Sequence, residues 1–409
     1  MCTSEVIFMG QVKKIRMELE ERGDWPNGLE HKYVCTRHFD DPYLNQILRR
    51  YGEKEERVCS YCGRRGAVCS MQALMEQVAW KIHMYYDDIN NAGLYYADSF
   101  YDDESEIIAG FKRVGEYVAP VEAEYYDSTR ALMEDLGLYT EDEDLNEDIE
   151  DTFTTQEWIE RDILHEDYGK TLLNKWLGFV RIVTHSRRFT FLATPEFMPL
   201  VTEERPEKEM DILSSLRLLI IEQKLIRVLP KGVTLYRARR VREGKKKYGF
   251  DDITSAPDAL ASINRMSPAG ISMFYSSFCM ETAATECLGD DKEALILGEF
   301  STMRDLRVLD LTKIPGPSFW MESWQENQFL HSFNCEVTKR LNPEDSNQLQ
   351  YIPTQVFTEY LRYMFVDENG KKIDGVVYGS AKTREQNVVL FCNQKESYKY
   401  VYLRNLSCK

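Results

Sequence analysis

Arginine, tyrosine, glutamate and serine recur in one order through the C-terminal half of the chain. Tyr236-Arg237-Ala238 closes an apolar run, and Arg265 precedes a turn holding Pro268 and Gly270. Phe274-Tyr275-Ser276 ends a second run, Glu286 lies in the helix-like stretch Thr282–Leu288, and Ser380 follows Asp374-Gly375-Val376-Val377-Tyr378-Gly379. Guanidinium forks grip phosphate oxygens in pairs. An aromatic ring stacks on a flat base, and one carboxylate steadies positive charge developing on a sugar. Such a set suits a nicotinamide dinucleotide whose glycosidic bond is to be broken. Nicotinamide leaves as a neutral molecule, so no general acid is required and the barrier lies in the cation-like sugar.

In that chemistry Glu286 is the charge-stabilising carboxylate and Tyr275 stacks on the nicotinamide ring. Arg237 and Arg265 take the pyrophosphate, and Ser380 takes a phosphate or a ribose hydroxyl. Tyr236, Gln355 and Asn387 read as supports, with Asn387 equally able to cap the turn before its strand. Taken singly, each residue has a plainer account: a helix-surface glutamate, a packing tyrosine, an arginine in a surface ion pair. Ser380 lacks the Gly-x-Ser-x-Gly setting of a hydrolase nucleophile. Neither Gly-x-Gly-x-x-Gly nor a Walker A sequence occurs, which argues against dinucleotide-fold dehydrogenases and P-loop enzymes.

A second set is metal-binding in type. Cys35-x-x-His38 and Cys59-x-x-Cys62 are two pairs separated by twenty residues. Two ligands with two residues between them bite one ion from a tight turn, and two such pairs complete a tetrahedron. Thiolates select zinc or an iron-sulfur cluster, and the histidine favours zinc. Cys69 stands as an alternative to His38 for the fourth ligand. With all four positions filled by protein, the site would be structural.

These groups require elements to hold them. Met71, Leu74, Met75, Val78, Ala79 and Ile82 recur at helical spacing, and the helical pattern is read from 71 to about 130. A short helix is expected at Glu5–Glu21. Residues 134–151 hold ten Asp or Glu and no Lys or Arg, which predicts an exposed loop or a frayed helix. Such a loop could lie in an arginine-lined cleft and restrain it. Helical patterns return around Trp158–Val180 and at Met210–Leu225. Beyond 230 the chain turns to short β-branched runs: Thr234–Ala238, Met273–Tyr275, Ala294–Phe300, Arg307–Asp310, Gly375–Tyr378 and Val388–Asn393, with helices at Thr282–Leu288 and Thr354–Met364. The fold class is α+β, a mostly helical domain over 1–228 followed by an α+β domain over 229–409.

At 409 residues the chain is long enough for two cores. A formal charge of −17 argues against general binding to nucleic acid. The Arg239-Arg240 and Lys245-Lys246-Lys247 cluster reads as a solvated loop. No apolar run approaches the ~18 residues that would span a bilayer, and no leader opens the chain, so a cytoplasmic protein is expected. The ten cysteines are scattered, as in a reduced protein with one metal site.

The C-terminal series resembles the RES family, named for its Arg, Glu and Ser residues. That family runs from a Tyr-Arg-Ala strand through an arginine before a Pro/Gly turn, a Tyr-Ser strand end and a glutamate helix. It ends in an Asp-Gly-x-x-Tyr-x-Ser-Ala strand and an Asn-x-x-Leu-Phe strand. Here the pieces are Tyr236-Arg237-Ala238, Arg265, Tyr275-Ser276, Glu286, Asp374–Ala381 and Asn387–Phe391, with Tyr351–Gln355 leading into the later helix. One departure stands out: the family's Gly-Gly-Arg-Trp-Asn is here Ile263-Asn264-Arg265-Met266-Ser267. The N-terminal cysteines resemble the HEPN-like domain often joined to RES domains. HEPN ribonucleases carry Arg-x4-6-His, whereas Arg161-x-x-x-His165 and Arg181-x-x-x-His185 are each one residue short and are not read as a nuclease motif.

The resemblance implies a fold similar to ADP-ribosyltransferases, a split β-sandwich gripping NAD. It implies NAD breakdown with inorganic phosphate or water as acceptor, and a toxin or defence role under an antitoxin or immunity protein. Transfer of ADP-ribose to a macromolecule, or an inactive binding module, are the alternatives. A homo-oligomer stays open.

Overall fold

The computed structural model describes residues 16–91, 94–95, 107–114, 117–161, 168–190, 212–241, 244–245, 247–288, 294–339 and 348–408. The chain divides into two compact units, Met1–Asp167 with Pro317–Trp324, and Tyr168–Gly316 with Gln325–Lys409. Both mix helix and strand.

The second unit is organised by eight strands: β1 (Ile226–Leu229), β2 (Thr234–Arg240), β3 (Phe274–Ser277), β4 (Leu295–Thr302), β5 (Leu306–Asp310), β6 (Gly375–Gly379), β7 (Gln386–Leu390) and β8 (Val401–Cys408). Their order across the sheet is β1-β5-β6-β7-β3-β2-β4-β8. Only β5 and β6 run parallel. Alternation along the strands sends side chains to two cores. Val376 and Val389 face one core, which is completed by helices carrying Leu172, Trp176, Leu216, Phe333 and Phe357. Val377 and Val388 face the other, with Leu235, Phe274 and Phe300. Gly375 is required where β6 meets β7, because a Cβ there would lie 2.2 Å from the Val389 carbonyl oxygen.

The resemblance to the RES family implies a split β-sandwich. The strands instead hydrogen-bond as one mixed sheet. Its weakest seam is central: β2 and β3 pair only through Tyr236 and Ser277, whereas β2 and β4 pair along seven residues. The six expected strands all form, with ends shifted by up to a few residues. Helix Trp324–Thr338 and strand β8 were not among the expected elements. Helices Tyr168–Arg181 and Ile212–Glu222, grouped with the N-terminal domain by the sequence reading, contribute to the first core of the large sheet. The compact units thus divide well before residue 228, because those helices bury their apolar faces on this side.

In the first unit, helix Met71–Tyr85 forms with Ser70 accepting the Ala73 amide at its N-terminus. Leu74, Met75, Val78, Ala79 and Ile82 are fully buried, as their spacing required. The helical pattern does not continue to 130. It ends at Tyr85, and the backbone runs into a five-stranded antiparallel sheet, ordered Tyr86–Asp88, Trp158–Glu160, Tyr117–Tyr126, Ile107–Val114, Leu94–Tyr95. The unit is therefore not mostly helical: Val, Ile and Tyr beyond residue 106 favour strand. The short N-terminal helix is described only from residue 16 to 22; the rest of Glu5–Glu21 lies outside the described residues.

The acidic run is not a loose loop. Asp142 caps helix Glu143–Glu150, which buries Leu145, Asn146 and Ile149. Part of its charge is offset by cations from elsewhere in the unit: Arg130 bonds Glu143 (3.1 Å) and Glu150 (2.9 Å), and Lys32 bonds Asp148 (2.6 Å). Pro317–Trp324, far away in sequence, completes this unit's core. Phe319 and Trp320 are buried there, the Trp320 indole donates to the Leu136 carbonyl (2.7 Å), and buried Lys81 donates to the Met321 carbonyl (2.5 Å). No helix among the described residues is long and apolar enough to cross a membrane.

Candidate active site

A cleft of about 1160 Å³ opens in the second unit at the β2–β3 seam. This is at or above the upper end of ordinary small-molecule sites, ~300–1,000 Å³. Tyr236, Arg237, Arg265, Tyr275, Glu286 and Asn387 all line it. Residues spread over 150 positions are brought together because β2, β3, β6 and β7 lie near one another in the sheet and helix Met280–Leu288 follows β3 directly.

Glu286 occupies the last turn of that helix and is exposed. Its Oε1 accepts the Ser380 hydroxyl at 2.6 Å and the Asn387 side-chain amide at 3.0 Å. Ser380 also accepts the amides of Lys382 and Thr383, both at 3.2 Å. Its single proton is committed to the carboxylate and its lone pairs to the turn that follows. The sequence reading gave Ser380 to a phosphate or ribose hydroxyl; the structure places it behind Glu286, buried. Asn387 likewise donates to Glu286 rather than capping the turn.

Arg237 follows the single Tyr236–Ser277 pair. It donates Nη1–H to the Tyr275 carbonyl (2.5 Å) across the seam and lies 5.4 Å from the Phe274 ring centroid. Its buried Nε has no hydrogen-bond partner among the described residues. Burial, and then the charge of Arg239, draw its pKa down to about 9, leaving it a cation at neutral pH. A buried cation with an unmatched N–H is costly unless an anion reaches it.

Tyr275 holds its hydroxyl 2.9 Å from Ser267 Oγ, and burial pushes its phenol up to about 12. It stays neutral and fixed in direction. Arg265 is partly committed elsewhere: Nη1 donates to the Val337 carbonyl (2.7 Å) and Nη2 to that of Lys339, where helix Trp324–Thr338 ends. The turn around it is pinned by Thr354, whose hydroxyl donates to the Arg265 carbonyl (2.6 Å), and by Gln355, whose amide donates to that of Asn264 (2.8 Å). The departure from Gly-Gly-Arg-Trp-Asn thus leaves an ordered turn, with Gly270 at φ +85°.

Tyr378, Arg239, Arg240 and Lys382 also line the cleft, and the sequence reading had assigned none of them a role there. Strand alternation was the available signal for Tyr378: it pairs directly with Asn387 and so shares its face. Asp374 serves the fold, accepting both Arg304 nitrogens (2.6 and 3.1 Å) and the Arg307 amide (2.9 Å).

In the first unit, Cys35, His38, Cys59 and Cys62 present their ligand atoms within 4.8 Å of one another. Cys35 and Cys62 sulfurs are 3.7 Å apart, and Cys59 Sγ is 3.4 Å from His38 Nε2. A tetrahedron with metal–sulfur bonds of ~2.3 Å has edges of ~3.8 Å, so the set fits one small ion. Gly63, at φ +67°, lets the chain turn back so that its amide bonds the Cys59 carbonyl (3.0 Å). The amide of Arg64 lowers the Cys62 thiol to about 6. Asp142 from the acidic helix faces His38 Nδ1 at 3.8 Å, the position of an orienting carboxylate. Cys69 is not part of the cluster; its thiol meets the Tyr51 carbonyl (3.4 Å). Arg181 and His185 are both exposed, and His165 lies outside the described residues.

Comparison with protein families finds two matches: HEPN/RES N-terminal domain 1 over residues 52–197, and the RES domain over residues 234–405. The first includes Cys59 and Cys62 but begins after Cys35 and His38. Comparisons with curated proteins and with solved structures find no match. The RES match spans the cleft residues from Tyr236 to Asn387, and the chain carries a RES domain preceded by a HEPN/RES N-terminal domain.

Proposed function

We propose that this chain cleaves the bond between nicotinamide and ribose in NAD, passing the ADP-ribosyl group to inorganic phosphate or water. The observation that carries the reading is Glu286, an exposed carboxylate in a large cleft, aimed by Ser380 and Asn387. With Oε1 held by two donors, Oε2 is the oxygen directed to the sugar. As the glycosidic bond breaks, its electron pair passes to the pyridinium nitrogen and nicotinamide departs neutral. Positive charge then spreads over the ribose ring oxygen and C1′, where a fixed carboxylate lowers the barrier. Tyr275 orients the nicotinamide. Arg237 lends its positive charge to the pyrophosphate, which the remaining protons of Arg265 bond. The weakly paired β2–β3 seam is the counterpart of the split between sheets in ADP-ribosyltransferases.

The cluster of Cys35, His38, Cys59 and Cys62 holds a structural zinc in this reading, because four protein ligands leave no position for water. An activity that removes NAD suits a toxin or defence effector restrained by an antitoxin or immunity protein. Incubation of the full chain with NAD, with and without phosphate, followed by nucleotide chromatography tests the reaction. Release of nicotinamide supports it; unchanged NAD with a folded protein rejects it. Label retained on a macromolecule would assign the transferase chemistry instead.

A further inference from the structure

The cleft wall beside Glu286 carries a cation that the proposed cleavage does not use. Lys382 lies two residues after Ser380, in the turn whose amides bond the Ser380 hydroxyl. Its Nζ donates to the carbonyls of Thr285 (3.1 Å) and Glu286 (3.3 Å). The ammonium is thus seated at the C-terminal end of Glu286's own helix, where partial negative charge favours a cation. Arg237, Arg239 and Arg265 each donate to a backbone carbonyl elsewhere in the unit, of Tyr275, Thr254 and Val337 respectively. Lys382 is thus bonded to the backbone of the residue whose carboxylate faces the reacting sugar.

An acceptor approaching C1′ has to come near that carboxylate. Water arrives without charge but must lose a proton to a base. Hydrogen phosphate brings a nucleophilic oxyanion that needs no base, yet its double negative charge is repelled by Glu286. A lysine ammonium seated on the backbone of the same residue offsets that repulsion and offers a proton to a phosphate oxygen. We propose that Lys382 seats inorganic phosphate as the acceptor, making it the residue that sets phosphorolysis over hydrolysis. The proposal rests on the NAD-cleaving reading. The phosphate oxygen forms its bond to C1′ as the C1′–nitrogen bond breaks with its electrons going to nicotinamide. The product is ADP-ribose 1″-phosphate, and the phosphate's remaining proton equilibrates with solvent.

The test uses the full chain as wild type, Lys382→Met and Lys382→Arg, each checked by thermal melting. NAD loss and the ratio of ADP-ribose 1″-phosphate to ADP-ribose are followed across a titration of inorganic phosphate. Losing one charge-assisted hydrogen bond should raise KM for phosphate about 10- to 100-fold in Lys382→Met. KM for NAD should move much less, and Lys382→Arg should recover part of the loss. An unchanged KM for phosphate overturns the proposal. So does a parallel fall in every parameter, which would mark Lys382 as a prop for the helix end. Wild type that yields only ADP-ribose at any phosphate concentration overturns it while leaving NAD cleavage standing; wild type that leaves NAD intact removes both.

Discussion

The Cys/His cluster and the cleft are each built from a handful of polar side chains, but they are assembled in opposite ways. Cys35, His38, Cys59 and Cys62 come from one stretch of chain, and their ligand atoms converge on a single point. The cleft collects Tyr236, Arg237, Arg265, Tyr275, Glu286 and Asn387 from three strands, a turn and a helix. Its groups line a volume and do not converge on a single point. Glu286 is gripped on one oxygen and open on the other side, and Arg237 keeps a buried N–H without a partner. A structural site is complete in itself. A reactive site leaves some groups unmatched for a ligand to complete, and the cost is carried by the surrounding fold.

Disrupting the metal cluster should have the largest effect. Structural zinc contributes on the order of 10 kcal/mol in small metal-folded domains. Protein purified without chelator should contain about one zinc per chain. In Cys59→Ser, hydrogen exchange should rise by orders of magnitude across 33–70 while strands β6 and β7 change little. Metal-free wild type with a protected knuckle would break the contrast, leaving the cluster as ordinary reduced cysteines.

Next in size is Trp320→Ala, which asks whether the first unit is as local as its metal site. Trp320 is buried among residues far from it in sequence, so its loss should cost about 3–5 kcal/mol in denaturant unfolding. A midpoint unchanged from wild type would show that segment 317–324 merely rests on the unit.

Glu286→Gln addresses the cleft itself. The amide keeps the shape and removes the charge, and NAD turnover should fall by ~10²–10³ with the melting temperature retained. Near-normal turnover would mean that a different carboxylate does the work. The smallest change expected is in Ser380→Ala. Removing one of two donors to Oε1 should slow turnover about 10-fold, and Ser380→Thr should restore part of it. A loss as large as that of Glu286→Gln would give Ser380 a direct part in the reaction and erase its supporting role.

The sequence carried most of the second unit. Short β-branched runs located β2 to β7, and their near-continuous apolar character follows from both faces of the sheet being buried. The first unit was less legible. The helical spacing of Met71–Ile82 is a strong local signal, but it was extended over a region that pairs as strands. Long-range pairing decided the matter there, as in Tyr126 opposite Trp158 and Tyr86 opposite Glu160. Of the two expectations for the acidic run, an exposed loop or a frayed helix, a helix forms, because its like charges resist compaction only while unpaired. Arg130 and Lys32 offset part of them, and Leu145 and Ile149 bury the other face of the helix.

By itself the sequence determined which groups are present and paired the Cys/His ligands locally, leaving the fourth position open between His38 and Cys69. Two Cys/His pairs with two-residue spacing impose their own geometry, since each pair lies on one turn. It also ordered the cleft residues along the chain. Only the tertiary structure decided what each of those is bonded to. Ser380 and Asn387 serve Glu286, Arg265 closes a helix end, and Arg237 spans a one-pair seam between β2 and β3. Lys382, unremarkable in the sequence, arrives beside Glu286 only because the turn after β6 packs against the helix after β3. The physical reason is that a hydrogen bond is set by distance and direction in space, and neither is written in the spacing of residues a hundred positions apart.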